Sequence, residues 1–224
     1  MSFAVRASID FLPTFTNLNT WGKRNNTKCN FCVNKETLHH ILNNCSTFLT
    51  QGRYTWRHNS ILATIVKHLK DNIPDNTSVK LYADIPGWSI NSGTIPPNIL
   101  LTSQRPDLVI VNNAKKLIHV VELTIPFERN IASAHNRKIE RYSSLISDIN
   151  SGEYNCVLSC IEIGSRGLIT RENKNRMSAI FKFTGSKAKK NVFNDISKNA
   201  LLCSYSIWNA RHEPSWIECP YIKI

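Results

Sequence analysis

The chain has 224 residues, 42% of them hydrophobic, and its 28 Lys plus Arg against 16 Asp plus Glu give a formal charge of +12. That length supports a sizeable core, one main domain with something smaller attached. The charge favours a polyanionic partner, nucleic acid or an anionic membrane surface. No apolar run reaches the roughly 18 residues of a membrane span, and the opening MSFAVRASID lacks the long apolar core of a secretory signal; no membrane association and an intracellular or nuclear location are therefore expected.

Residues 1–24 are weakly periodic and read as a lead-in strand or a linker. Residues 25–50 hold three of the seven cysteines, an odd count that fits a disulfide framework poorly. The run 53–70, RYTWRHNSILATIVKHLK, places Ile61, Leu62, Ile65, Val66 and Leu69 on one face of an amphipathic helix. VKLYA is a short strand, followed by a Gly/Pro-rich loop. Two strands at about 107–111 and 117–125 form a hairpin ended by Pro126. A helical pattern follows over 130–149, then a strand over 154–163, a GSRG turn, and helices at 171–181 and 187–207. The order predicts an α/β domain over residues 51–224 with a mixed sheet flanked by helices, preceded by the small cysteine module.

CNFCVNKETLHHILNNC contains the pattern C-x2-C-x7-H-x4-C, made by Cys29, Cys32, His40 and Cys45. Thiolates and imidazole are the donors of tetrahedral Zn²⁺, and two close pairs can wrap one ion. With no position left open the site is structural. LHHILNNC is expected to be a short helix that turns His39 away, which makes His40 the ligand. The plain alternative is three buried cysteines and a surface histidine.

Asp107 opens the first hairpin strand and Glu122 stands near the end of the second, so an antiparallel pairing brings them to the same end. Two buried carboxylates without partners are costly. A divalent ion, Mg²⁺ or Mn²⁺, removes the cost, and the backbone carbonyl of Leu123 is a further oxygen donor. Asp84 in YADIPGW is a candidate additional ligand, with turn capping as its other reading. Two residues past Glu122 stands Thr124; the nearest suitable lysine is Lys138 on the following helix, with Tyr142 one turn later. Lys138 would position a water or stabilise charge on phosphorus. The alternative for the acids is a strand-edge pair salt-bridged by Arg105 or lysines.

RPDLV, VVELT and K-x3-Y together resemble the PD-(D/E)XK restriction-endonuclease-like fold. With the C-x2-C-x7-H-x4-C knuckle ahead of them, and with GRYTWRHN, YADIPGW and EIGSRG, the chain is similar to the C-terminal region of site-specific non-LTR retrotransposon proteins. There the domain follows a reverse transcriptase and cuts target DNA to leave a priming 3′ hydroxyl. The resemblance implies a metal-dependent DNA endonuclease with Asp107 and Glu122 as metal ligands, and Lys138 and Tyr142 as the displaced lysine and its tyrosine. Thr124 departs from the E-x-K form. DNA, and also RNA, are the expected partners, with a reverse transcriptase domain in a parent protein. Arg57, Arg105, Arg137, Arg166, Lys187, Lys189 and Lys190 are candidate nucleic-acid contacts. His58 reads equally as a phosphate contact or a packed residue. Glu162, alternating with Ile161 and Ile163, reads as solvent-facing or as a wall of the same cleft. A non-catalytic nucleic-acid-binding module, or a DNA-binding protein domesticated from a transposon, is the alternative function.

Overall fold

VKLYA, LVIVN, LIHVVELT and NCVLSCIE form four strands, β1 (Val79–Ala83), β2 (Leu108–Asn112), β3 (Leu117–Thr124) and β4 (Asn155–Glu162). The computed structural model describes residues 2–73, 78–86, 95–184 and 190–217. Lys187 and Lys189 lie outside the described residues, as do Gly87 and Trp88 of YADIPGW, and of Lys190 only the backbone is described. The strands lie side by side in chain order, β1–β2 and β2–β3 antiparallel and β3–β4 parallel. A parallel pair needs a crossover, and α5 (Ile131–Asn150) supplies it.

Strand periodicity sends alternate residues to opposite layers. Leu108, Ile110, Val121, Leu123 and Ile161 pack against α4 (Arg53–Lys70), α6 (Arg171–Phe183) and α7 (Lys190–Asn209). Val109, Val111, Ile118 and Val120 pack against Tyr142, Leu145 and Ile149 of α5. A sheet covered on both faces reads as a continuous apolar run, which is why LVIV in β2 shows no alternation. Each large aliphatic side chain buried this way contributes about 1.5–3 kcal/mol, so Val121→Asp would cost more than that by placing a charge between sheet and helices. The predicted face of α4 is the buried one: Ile61, Leu62, Ile65, Val66 and Leu69 are all inside.

The lead-in is neither strand nor linker. It forms α1 (Phe3–Ser8) and α2 (Phe15–Thr20), with the Thr14 hydroxyl accepting the Asn17 amide at 3.1 Å to cap the second. Helices this short are held by tertiary packing. Ala7 and Leu12 join Leu38, Ile41, Leu42, Cys45, Phe48 and Trp56 in a second core that also takes Cys203, Ile207 and Trp208 from α7. The expected helix at LHHILNNC is a π-helical turn, His40–Asn44, followed by α3 (Ser46–Thr50). Among the described residues no helix is long and apolar enough to cross a membrane.

Candidate metal sites

Cys29, Cys32, His40 and Cys45 come together with their ligand atoms all within 4.8 Å of one another. The knuckle is shaped by its own backbone: the Cys29 amide donates to Asn34 O at 2.8 Å, and the Phe31 amide to Cys29 Sγ at 3.5 Å. His40 is delivered from the π-helical turn, its amide capped by Thr37 Oγ1 at 3.0 Å, and its Nε2 lies 3.2 Å from Cys32 Sγ. Three sulfurs and one imidazole at this spacing fit tetrahedral Zn²⁺. Burial pushes the Cys29 thiol up to about 12 and raises Cys45 as well; the sulfurs become thiolates when a cation joins them. His39 faces elsewhere, its ring against Phe127 and Arg129. Tyr54 of α4 braces the module, its hydroxyl accepting the Cys45 amide at 3.0 Å, and Asn43 Nδ2 donates to Ile125 O, just past β3, at 2.8 Å.

The hairpin places the acids opposite each other. Leu108 pairs with Val121, so Asp107 and Glu122 stand one step beyond, at the same end of the sheet. The Asp107 amide donates to Glu122 Oε2 at 3.3 Å, and the Leu123 amide donates to Asp107 Oδ2 at 2.7 Å. Both acids have the parity of Val109 and Val120, which is the α5 side. From α5, Lys138 Nζ forms a close ion pair with Glu122 Oε1. Tyr142, buried one turn on, sits against Glu122, with its hydroxyl 3.5 Å from Arg105 O. Thr124, in the place of the short-motif lysine, ends β3 with its hydroxyl buried and unpartnered among the described residues.

The environments drive the two carboxyls apart. Burial raises Glu122, and Asp107 raises it further while Lys138 opposes. Burial acts on Asp107 in the same direction, but His58 and the Leu123 amide outweigh it and hold Asp107 below the usual range. Burial alone would lower His58; Asp107 reverses this and brings it to about 9.

Both roles open to His58 in the sequence, phosphate contact and packed residue, differ from where it stands. The structure places its Nε2 3.3 Å from Asp107 Oδ2 and 3.2 Å from Leu123 O. The legible signal was its position on α4, three residues before Ile61, the first of the buried aliphatic residues, which seats it at the edge of the core-facing side. A cavity of about 380 Å³ opens beside this cluster, lined in part by Tyr54, Thr55, His58, Thr124 and Lys138.

The other expected residues divide. Asp84 lies beside the hairpin, its amide donating to Asp107 O at 2.9 Å, but its carboxylate pairs with Arg105 at 2.5 Å. Arg137 is exposed on α5. Arg57 is fully buried, its guanidinium donating to Ser204 Oγ at 3.0 Å and Ile125 O at 3.4 Å, so it is turned away from any duplex surface. Arg166 is engaged by Glu128 at 2.6 Å and Ala7 O at 2.7 Å, tying α1 to the segment after β3. A solvent-facing Glu162 is overturned: the residue is fully buried, and His135 at 2.9 Å and Arg176 at 3.2 Å close on its carboxylate. Neither partner is legible in the sequence, because α5 and α6 meet Glu162 only in the fold.

No protein-family model matches the chain, and no curated protein matches it. Among solved structures, an N-terminal domain of a reptarenavirus L protein is similar at 13% identity, with 89% of this chain and 92% of that chain covered and a TM-score of 0.32. A likeness of that size leaves the functional reading to the site itself.

Proposed function

We propose that the chain is a metal-dependent endonuclease that hydrolyses phosphodiester bonds in DNA. The observation that carries this reading is the convergence of Asp107, Glu122, the Leu123 carbonyl and Lys138 at one end of the sheet. Two carboxylates and a backbone carbonyl are hard oxygen donors suited to Mg²⁺ or Mn²⁺. Burial, and then the Asp107 carboxylate beside it, raise Glu122, a cost that a divalent ion would relieve. Asp107, Glu122 and Leu123 O would hold that ion. When bound it supplies Lewis-acid activation of a water and charge neutralisation at the phosphate.

The chain's own groups do the rest. Lys138 brings a fixed positive charge from α5 to the carboxylate cluster, where it orients the attacking water or offsets charge on the phosphate oxygens. Tyr142 packs beside Glu122 and holds that carboxylate in place. The Cys/His module, braced on α4 by Tyr54 and on the end of β3 by Asn43, keeps one wall of the cleft rigid. The formal charge of +12 supports a polyanionic substrate, and the resemblance to the nuclease region of non-LTR retrotransposon proteins supports DNA, with a reverse transcriptase domain as the natural companion.

The test is nicking of supercoiled plasmid with Mg²⁺ or Mn²⁺, run beside Asp107→Ala. Metal-dependent nicking lost in the variant is expected. Equal activity in both proteins, or none across a range of metals, would sink the reading in favour of a non-catalytic nucleic-acid-binding module.

A further inference from the structure

We propose that His58 is a nitrogen ligand to the divalent ion of the carboxylate cluster, and that it biases the centre toward Mn²⁺ over Mg²⁺. The inference rests on the metal-dependent reading above and goes beyond the oxygen-only donor set drawn from the hairpin.

The geometry begins with the ring's other nitrogen. His58 Nδ1 lies 3.1 Å from Asn59 Oδ1, an acceptor, so Nδ1 carries a proton. Nε2 then meets two oxygens at once, Asp107 Oδ2 at 3.3 Å and Leu123 O at 3.2 Å. An unprotonated Nε2 would aim its lone pair at two other lone-pair donors. Only a cation makes that arrangement favourable, either a proton on Nε2 or a metal ion among the three atoms. The two oxygens are the ones the hairpin offers to a metal in any case. An acceptor holding the non-ligating nitrogen is also the outer arrangement that fixes the tautomer of metal-binding histidines.

The position is rigid. α4 is anchored by its buried face and packs along α7, and His58 reaches the cluster from that helix while Lys138 reaches it from α5 on the opposite layer. The acids thus meet an imidazole from one layer and an ammonium from the other. Oxygen donors alone suit Mg²⁺, whereas an imidazole adds affinity for first-row transition ions and little for Mg²⁺.

The experiment titrates Mn²⁺ into the zinc-loaded chain, with Mg²⁺ as competitor, and records electron spin-echo modulation from nitrogen bound to Mn²⁺. It compares the unaltered chain with His58→Gln, His58→Ala and Asp107→Asn, each checked for an unchanged fold by circular dichroism. Directly bound nitrogen should be seen in the unaltered chain and be absent from both His58 variants. Their Mn²⁺ affinity should fall at least roughly tenfold, with a smaller change for Mg²⁺. Nitrogen modulation that persists in His58→Gln, or an unchanged preference for Mn²⁺ over Mg²⁺, overturns the role of His58. If Mn²⁺ binding still depends on Asp107 in that case, the metal centre stands without it. If the unaltered chain binds no ion at this site, or binds it independently of Asp107, the metal centre falls and the His58 proposal with it.

Discussion

Lys138 Nζ lies against Glu122 Oε1 although the two residues are 16 positions apart and belong to different layers. The pair is buried on the acid side, Glu122 being 3% exposed. The ammonium is thus held at the carboxylate cluster from α5. Lys138→Met should reduce metal-dependent nicking by roughly 10²–10³-fold while the chain remains folded. Initial nicking rates beside a melting curve check this, and a rate within a factor of a few of the unaltered chain would remove Lys138 from the chemistry.

The Cys/His cluster is predicted to carry stability as well as zinc. Cys45 is one of the four clustered residues that could hold zinc and also a member of the second core shared with α7. Cys45→Ser should lose bound zinc, measured by atomic emission, and lower the melting temperature by roughly 5–10 °C. Zinc content equal to that of the unaltered chain would show that the sulfurs are simply buried thiols.

Folding should weaken in mild acid through His119. This residue is buried in the middle of β3, its Nε2 2.8 Å from Ser159 Oγ, and burial pushes it down to about 4 from 6.5. Between those values the unfolded chain takes up a proton that the folded chain refuses, so stability is lost as pH falls from about 6.5 to about 4 and levels off below. The full difference is about 3 kcal/mol. Urea unfolding at pH 7 and pH 5 should show the unaltered chain losing about 2 kcal/mol more than His119→Gln; equal losses would mean that other groups set the acid limb.

Gly167 in the GSRG turn should resist substitution. Its φ is +91°, and a Cβ there would meet Ser197 O at 2.7 Å. Gly167→Ala combines backbone strain with a collision against main chain and should cost about 1–3 kcal/mol, read as a drop in melting temperature without loss of secondary structure.

The strands, the long helices, the hairpin and the C-x2-C-x7-H-x4-C cluster were legible because each is written in local order. Period-2 runs, helical spacing and close ligand pairs need only neighbouring residues. The same local order placed Asp107 and Glu122 at one end of the hairpin, since pairing register follows from strand length and turn. The lead-in was illegible because α1 and α2 are too short to declare themselves; α1 exists by packing Phe3 and Ala7 on α7 and the second core, and α2 by its contacts with Glu36 and His212. Arg57 and Arg166 looked like surface cations, and charge alone cannot reveal that Ser204, Ile125 O, Glu128 and Ala7 O would receive them.

The sequence by itself determined which groups are present and how each sits within its own helix or strand: an acid at each side of a hairpin, a lysine and tyrosine on one helical face, four soft donors in a short module. Only the tertiary structure decided which of them meet. The docking of α4 and α5 on opposite faces of the sheet brings His58 to Asp107 and Lys138 to Glu122, and α5 and α6 together close His135 and Arg176 around Glu162. Those encounters join residues 14 to 49 positions apart, from Arg176 with Glu162 to His58 with Asp107. They depend on how whole layers pack, a property that no local window of the chain contains.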